Sequence, residues 1–166
     1  GLIDLAENEA ELASVISHEI AHVVGEHGME NMTKQQIIGF AGAVILGARP
    51  TFTEEIISSI IQRGVLTNFS RSAELEADKL GIEQMHAAGI DPIGFESFLK
   101  KMRVKEKGES SGFSNMLSTH PPTDLRIKKS IETRTRLSQK KYDVSDDSFL
   151  KMKQHMNRIY KKSNNN

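Results

Sequence analysis

Residues 17–28 read SHEIAHVVGEHG. In a helix, residues four apart share one face, so the imidazoles of His18 and His22 can address a single ion. Glu19 lies one step from the first histidine and three from the second. It therefore flanks such an ion without pointing straight at it, where a general base for a metal-activated water belongs. The H-E-x-x-H spacing points to a helical zinc hydrolase site; the competing reading is two surface histidines on a charged helix. Two imidazoles rarely hold a catalytic zinc alone, so a third ligand is expected elsewhere in the 166 residues.

His27 is the nearest candidate. The metzincin pattern H-E-x-x-H-x-x-G-x-x-H finds its glycine at Gly25, but its last position is Gly28, and His27 falls one residue early. On a continuous helix it would lie about half a turn from His18. His27 is therefore expected to be a structural or helix-end histidine outside the site. The other route is a carboxylate from a second helix. Residues 70–81 read SRSAELEADKLG, where Glu74 and Asp78 share a face and Glu76 lies about 200° round from Glu74. Glu74 as ligand leaves Asp78 one turn on, able to accept a hydrogen bond from a ligand histidine and fix its tautomer. Glu76 would have only Leu80 at that position.

The rest of the chain is read as mainly α, with any sheet very small or missing, because helical periodicity dominates and strand alternation is not evident. Expected helices run from Ala6 to Gly25, with Leu12, Ile16, Ile20 and Val23 on one apolar side, and from after Thr33 to a break near Gly47–Pro50. Others run from after Thr53 towards Leu66, from a Ser72 cap to Gly89, and from Asp91-Pro92 to about Val104. Residues 105–114, KEKGESSGFS, read as a flexible loop. A basic helix follows Pro121-Pro122, and a last amphipathic helix follows a break at Asp143–Ser145. The expected organisation is a metallopeptidase domain over residues 1–142, with a C-terminal helix and polar tail over 143–166.

Lysine plus arginine equal aspartate plus glutamate at 22 each, so no net field draws the chain to nucleic acid. No cysteine is present, which excludes disulfides and thiolate metal sites. The longest apolar run, Ile37 to Ala48, is too short to span a bilayer and reads as a core segment. No secretory signal is visible, and the opening at Gly1 reads as a chain whose natural beginning lies upstream.

HEIAHVVGEH, then SRSAELEADKLGIEQMHAAGIDP, then STHPPTDLRI, taken together, resemble the zinc metallopeptidases of the CAAX prenyl protease/HtpX family over roughly residues 2–130. The likeness is nearest to the soluble, periplasmic BepA-like branch. It implies a zincin-like helical domain, with the family's small sheet largely missing here because the substrate-pairing strand would precede the first helix. It implies one zinc per chain on His18, His22 and Glu74, with Glu19 as catalytic base. Asp78 matches an aspartate often assigned as a proton donor, although its position favours orienting a ligand. His120 matches the histidine of an H-P loop, which can join the zinc as a blocking fourth ligand or assist the transition state. Arg126 can meet a carboxylate or the reaction's oxyanion, or be an ordinary surface arginine. His86 and His155 show no ligand spacing.

The expected function is a zinc-dependent metalloendopeptidase. A zinc-activated water, with Glu19 taking its proton, would hydrolyse peptide bonds in polypeptide substrates. By resemblance the setting is protein quality control in the periplasm or another extracytoplasmic space. The alternative is a zinc-stabilised, chaperone-like binding module, or a latent protease fragment without turnover.

Overall fold

The computed structural model describes residues 2–34, 69–106, 114–142 and 147–163, and every regular element among them is helical. In chain order these are α1 (Leu2–Leu5), α2 (Glu9–Val24), α3 (Arg71–Ala88), α4 (Ile93–Glu106), α5 (Ser114–Thr119), α6 (Asp124–Thr135) and α7 (Asp147–Ser163). Residues 27–34 are helical as well. The mainly α expectation therefore holds for the described residues. The helices expected after Thr33 and Thr53, the Ile37–Ala48 run, most of the 105–114 loop and the Asp143–Ser145 break lie outside them.

Local chemistry sets the helix ends. Asn8 caps α2 by accepting the Glu11 amide at 2.8 Å, three residues later than the start at Ala6 expected from periodicity alone. Ser70, rather than Ser72, caps α3 by accepting the Ala73 amide at 3.2 Å, and Gly89 ends it at φ 82, where glycine carries no steric penalty. The Asp91 carboxylate accepts the Ile93 amide at 2.9 Å ahead of α4, as Asp91-Pro92 predicts. Thr123 caps α6 through the Arg126 amide.

α2 packs on α3 and α4, and α6 packs across α3 and α4. One apolar cluster joins Leu5, Val15, Phe98 and Met102, and a second joins Ile82, Met85, Phe95 and Leu99. Each such side chain, fully buried, contributes about 1.5–3 kcal/mol. Phe149 of α7 is also buried, and Lys153 donates to the Ala6 carbonyl at 2.7 Å, which ties the C-terminal helix to the start of the chain.

The face that α2 buries differs from the apolar stripe read in the sequence. Ile16, Ile20 and Val23 are exposed, whereas Glu11, Ser14, Val15, Ser17, His18, Ala21 and His22 face inward. The inward serines and Glu11 are satisfied, which makes their burial tolerable. Ser14 and Ser17 donate back to the Glu11 and Ser14 carbonyls, and the Glu11 carboxylate accepts Lys101 Nζ at 2.6 Å. Small residues line the crossings. A Cβ on Gly81 of α3 would lie 3.2 Å from both His18 N and Ser17 Oγ of α2. A Cβ on Gly94 would collide with the Ala10 backbone carbonyl. Gly94→Ala should therefore push α4 off α2 and lower stability by about 1–3 kcal/mol, read as a lower urea midpoint at unchanged m-value.

Candidate metal and catalytic centre

The close α2–α3 crossing carries the two motif helices' polar residues into one buried cluster. One ligand atom from each of His18, His22, Glu74 and His120 lies within 4.8 Å of all the others, the one such group among the described residues. His22 Nε2 is 3.0 Å from His18 Nε2 and 3.3 Å from Glu74 Oε1. His120 Nδ1 is 2.9 Å from Glu74 Oε1 and 3.2 Å from His18 Nε2. Three imidazole nitrogens and a carboxylate oxygen thus direct lone pairs at one small volume. Facing nitrogens at such distances repel unless a proton or a cation lies between them. The donor set is the nitrogen-and-oxygen kind that suits a borderline dication, so the residues present fit a metal ion.

The outer groups hold this cluster in register. Asp78 Oδ1 is 3.1 Å from His18 Nδ1, on the ring edge opposite the cluster. Arg126 is buried rather than on the surface. Its Nε and Nη2 donate to the two Asp78 oxygens at 2.7 and 2.6 Å, and its Nη1 is 2.6 Å from Glu74 Oε2. The same Nη1 donates to the Pro121 carbonyl at 3.2 Å, which anchors the loop bearing His120. The sequence leaves Arg126 open between these roles, because, in the first turn of α6, it reaches α3 only through tertiary packing.

Electrostatics follow from these contacts. Burial alone would raise the Glu74 pKa, but hydrogen bonds from His120, His18 and His22 and the Arg126 charge outweigh it and hold the carboxyl ionised far below its usual range. Burial likewise opposes a proton on His18, yet the Asp78 and Glu74 carboxylates raise its pKa above the ordinary value. His22, with less carboxylate support, is lowered by burial.

Glu19 sits at the rim, its side chain 53 % exposed and its Oε1 3.6 Å from His120 Nε2. On one side opens a cleft of about 740 Å³ lined by Glu19, His22, Val23, Met29, Met32 and Phe69. On the other, a much smaller pocket reaches Phe95, Phe98 and Met102.

Two neighbours of the cluster were not expected. Phe69 stacks on His22 with ring centroids 4.0 Å apart, and nothing in its sequence context marks it. His27, expected outside the site, is 3 % exposed, with Nδ1 2.9 Å from His22 Nδ1. A continuous helix would put His27 half a turn from His18, but the chain breaks at residues 25–26. Glu76 points away from the cluster, 61 % exposed, towards His27 Nε2 at 3.6 Å. His86 stands apart, joined to Tyr142 and Ser138.

Residues 1–134 match the profile of peptidase family M48. The chain is 33 % identical over 150 residues to the beta-barrel assembly-enhancing protease of Yersinia pestis, covering 84 % of this chain and 30 % of that protein. It is 30 % identical over 161 residues to the protein of the same name from Escherichia coli K12, covering 90 % and 32 % of the two chains. It is also 30 % identical over 146 residues to the mitochondrial metalloendopeptidase OMA1 of Schizosaccharomyces pombe, covering 88 % and 42 %. The chain thus spans about a third of the length of the bacterial relatives.

Removing the guanidinium would leave the Glu74 and Asp78 carboxylates buried with no fixed cation between them. In metal-free protein, Arg126→Leu should cost about 3–5 kcal/mol in denaturant unfolding, much more than Arg136→Leu at an exposed position.

Proposed function

The chain belongs to peptidase family M48, and from that premise we propose that it is a zinc-dependent metalloendopeptidase of the H-E-x-x-H plus E-x-x-x-D type. The observation that carries the reading is the convergence of His18, His22, Glu74 and His120 on one point, with Glu19 at its open edge. His18, His22 and Glu74 would hold the zinc. Bound there, the ion would polarise the scissile carbonyl and lower the pKa of the attacking water to about 7.

The chain's own groups do the rest. Glu19, exposed on the cleft side, takes the water's proton and hands it to the leaving amine. Asp78 holds the proton of His18 on Nδ1, leaving Nε2 free to ligate. It is 1 % exposed and held by both arms of Arg126, which supports this orienting role over proton donation to substrate. The apolar cleft beside His22 suits an extended polypeptide. The relatives' names, a protease and a metalloendopeptidase, support polypeptide substrates; a role in protein quality control in an extracytoplasmic compartment is the setting that the sequence resemblance implies. No described helix is long and apolar enough to cross a membrane.

For His120, its place among the donors supports latency. With Nδ1 near both His18 and Glu74, it would stand where water and substrate need to approach a bound ion. Its loop would then have to withdraw before turnover.

Zinc stoichiometry tests the ligand set. Wild type should hold one zinc and Glu74→Ala none, whereas Glu76→Ala should keep it; zinc absent from the wild type would sink the reading. Glu19→Gln should retain zinc and lose cleavage of an unfolded protein substrate by at least about a hundredfold. A binding module would be indifferent to that change. His120→Ala should raise cleavage, and a large loss would reassign His120 to the chemistry.

A further inference from the structure

His27 is buried beside the cluster, in a position the proposed chemistry does not use. Its placement depends on an unusual local conformation. α2 ends at Gly25, and Glu26 then adopts φ 52, a left-handed conformation that non-glycine residues rarely take. The turn swings residue 27 back against the helix it has just left. Space for the ring exists only because residue 25 is glycine, since a Cβ there would lie 2.7 Å from His27 Nε2. A strained turn, a missing side chain and a buried imidazole all serve one contact, His27 Nδ1 to His22 Nδ1 at 2.9 Å.

We propose that His27 is a positioning residue for the metal centre. It accepts the Nδ1 proton of His22 and fixes the tautomer whose bare Nε2 faces the cluster. The inference rests on the zinc reading above, and proton bookkeeping gives it direction. His22 turns Nε2 towards His18 and Glu74. A ligating nitrogen carries no proton, so neutral His22 holds its proton on Nδ1. His27 Nδ1 must then be the acceptor, and His27's own proton lies on Nε2. Among the described residues that nitrogen is buried without a hydrogen bond, and the Glu76 carboxylate lies 3.6 Å away.

The two ligand histidines thus receive different support. His18 is backed by the charged Asp78, itself neutralised by Arg126. Among the described residues no arginine stands behind His22, and an anion there would add uncompensated charge close to Glu74. A neutral imidazole aligns the ring without that cost.

The test is zinc affinity, measured by competition with a chromogenic chelator, for wild type, His27→Phe and His27→Asn. The thermal midpoint of each metal-free protein is recorded in parallel. Phenylalanine fills the volume without an acceptor; asparagine leaves a gap but sets its Oδ1 where Nδ1 stood. A positioning role predicts a loss of about 10–100-fold for His27→Phe and near wild-type affinity for His27→Asn, even though asparagine lowers the metal-free midpoint more. A purely space-filling role predicts the reverse order. The proposal is overturned if His27→Phe binds zinc as wild type does, or if His27→Asn is impaired as much as His27→Phe. Failure of the wild type to bind zinc would instead remove the metal reading itself.

Discussion

The buried guanidinium of Arg126 is the contact on which the rest of the centre depends. It neutralises one of two carboxylates, Glu74 and Asp78, that would otherwise repel each other one helical turn apart. With the histidines neutral, two carboxylates and one guanidinium leave a single net negative charge in a largely buried site. A dication is well matched to that residue of charge, and a second fixed arginine would have competed with it. Arg126 also grips the Pro121 carbonyl, so the same group that balances the charge fixes the loop carrying His120.

That arrangement requires helices that nearly touch. Gly81 against Ser17 and His18, and Gly94 against Ala10, let α3 and α4 approach α2 more closely than larger residues would allow. The short approach brings Glu74 within hydrogen-bonding range of side chains on α2 and on the loop before α6. It also explains why the inward face of α2 is rich in serine, alanine and histidine, with bulky aliphatics elsewhere. Packing energy comes mostly from α3 and α4, through Ile82, Met85, Phe95, Phe98 and Leu99.

The exposure gradient across the centre suits the holding and acting roles proposed for its groups. Asp78 and Glu74 are almost fully enclosed, His120 is 12 % exposed at its side chain, and Glu19 is open to the cleft. Enclosed groups cannot exchange protons quickly with water, and they fix geometry. A half-open carboxylate can do so, which suits the base role proposed for Glu19. His120 lies between the two regimes, the position from which a loop residue can either complete the cluster or leave it.

Sequence by itself determined much of the local structure, because local structure depends on near neighbours. The mainly helical content, the stop at Gly89, the start at Asp91-Pro92 and the shared faces of His18 with His22 and of Glu74 with Asp78 all follow from spacing and capping chemistry. Only the tertiary structure decided which face of α2 is buried, because an apolar stripe is a propensity that helix crossings overrode. It also decided that Arg126 is an internal cation and that Phe69 stacks on His22, since both are contacts across long stretches of chain. His27 marks the boundary most sharply. It stays outside the donor group, as its spacing implies, yet one left-handed residue at Glu26 breaks the helix and brings it against His22.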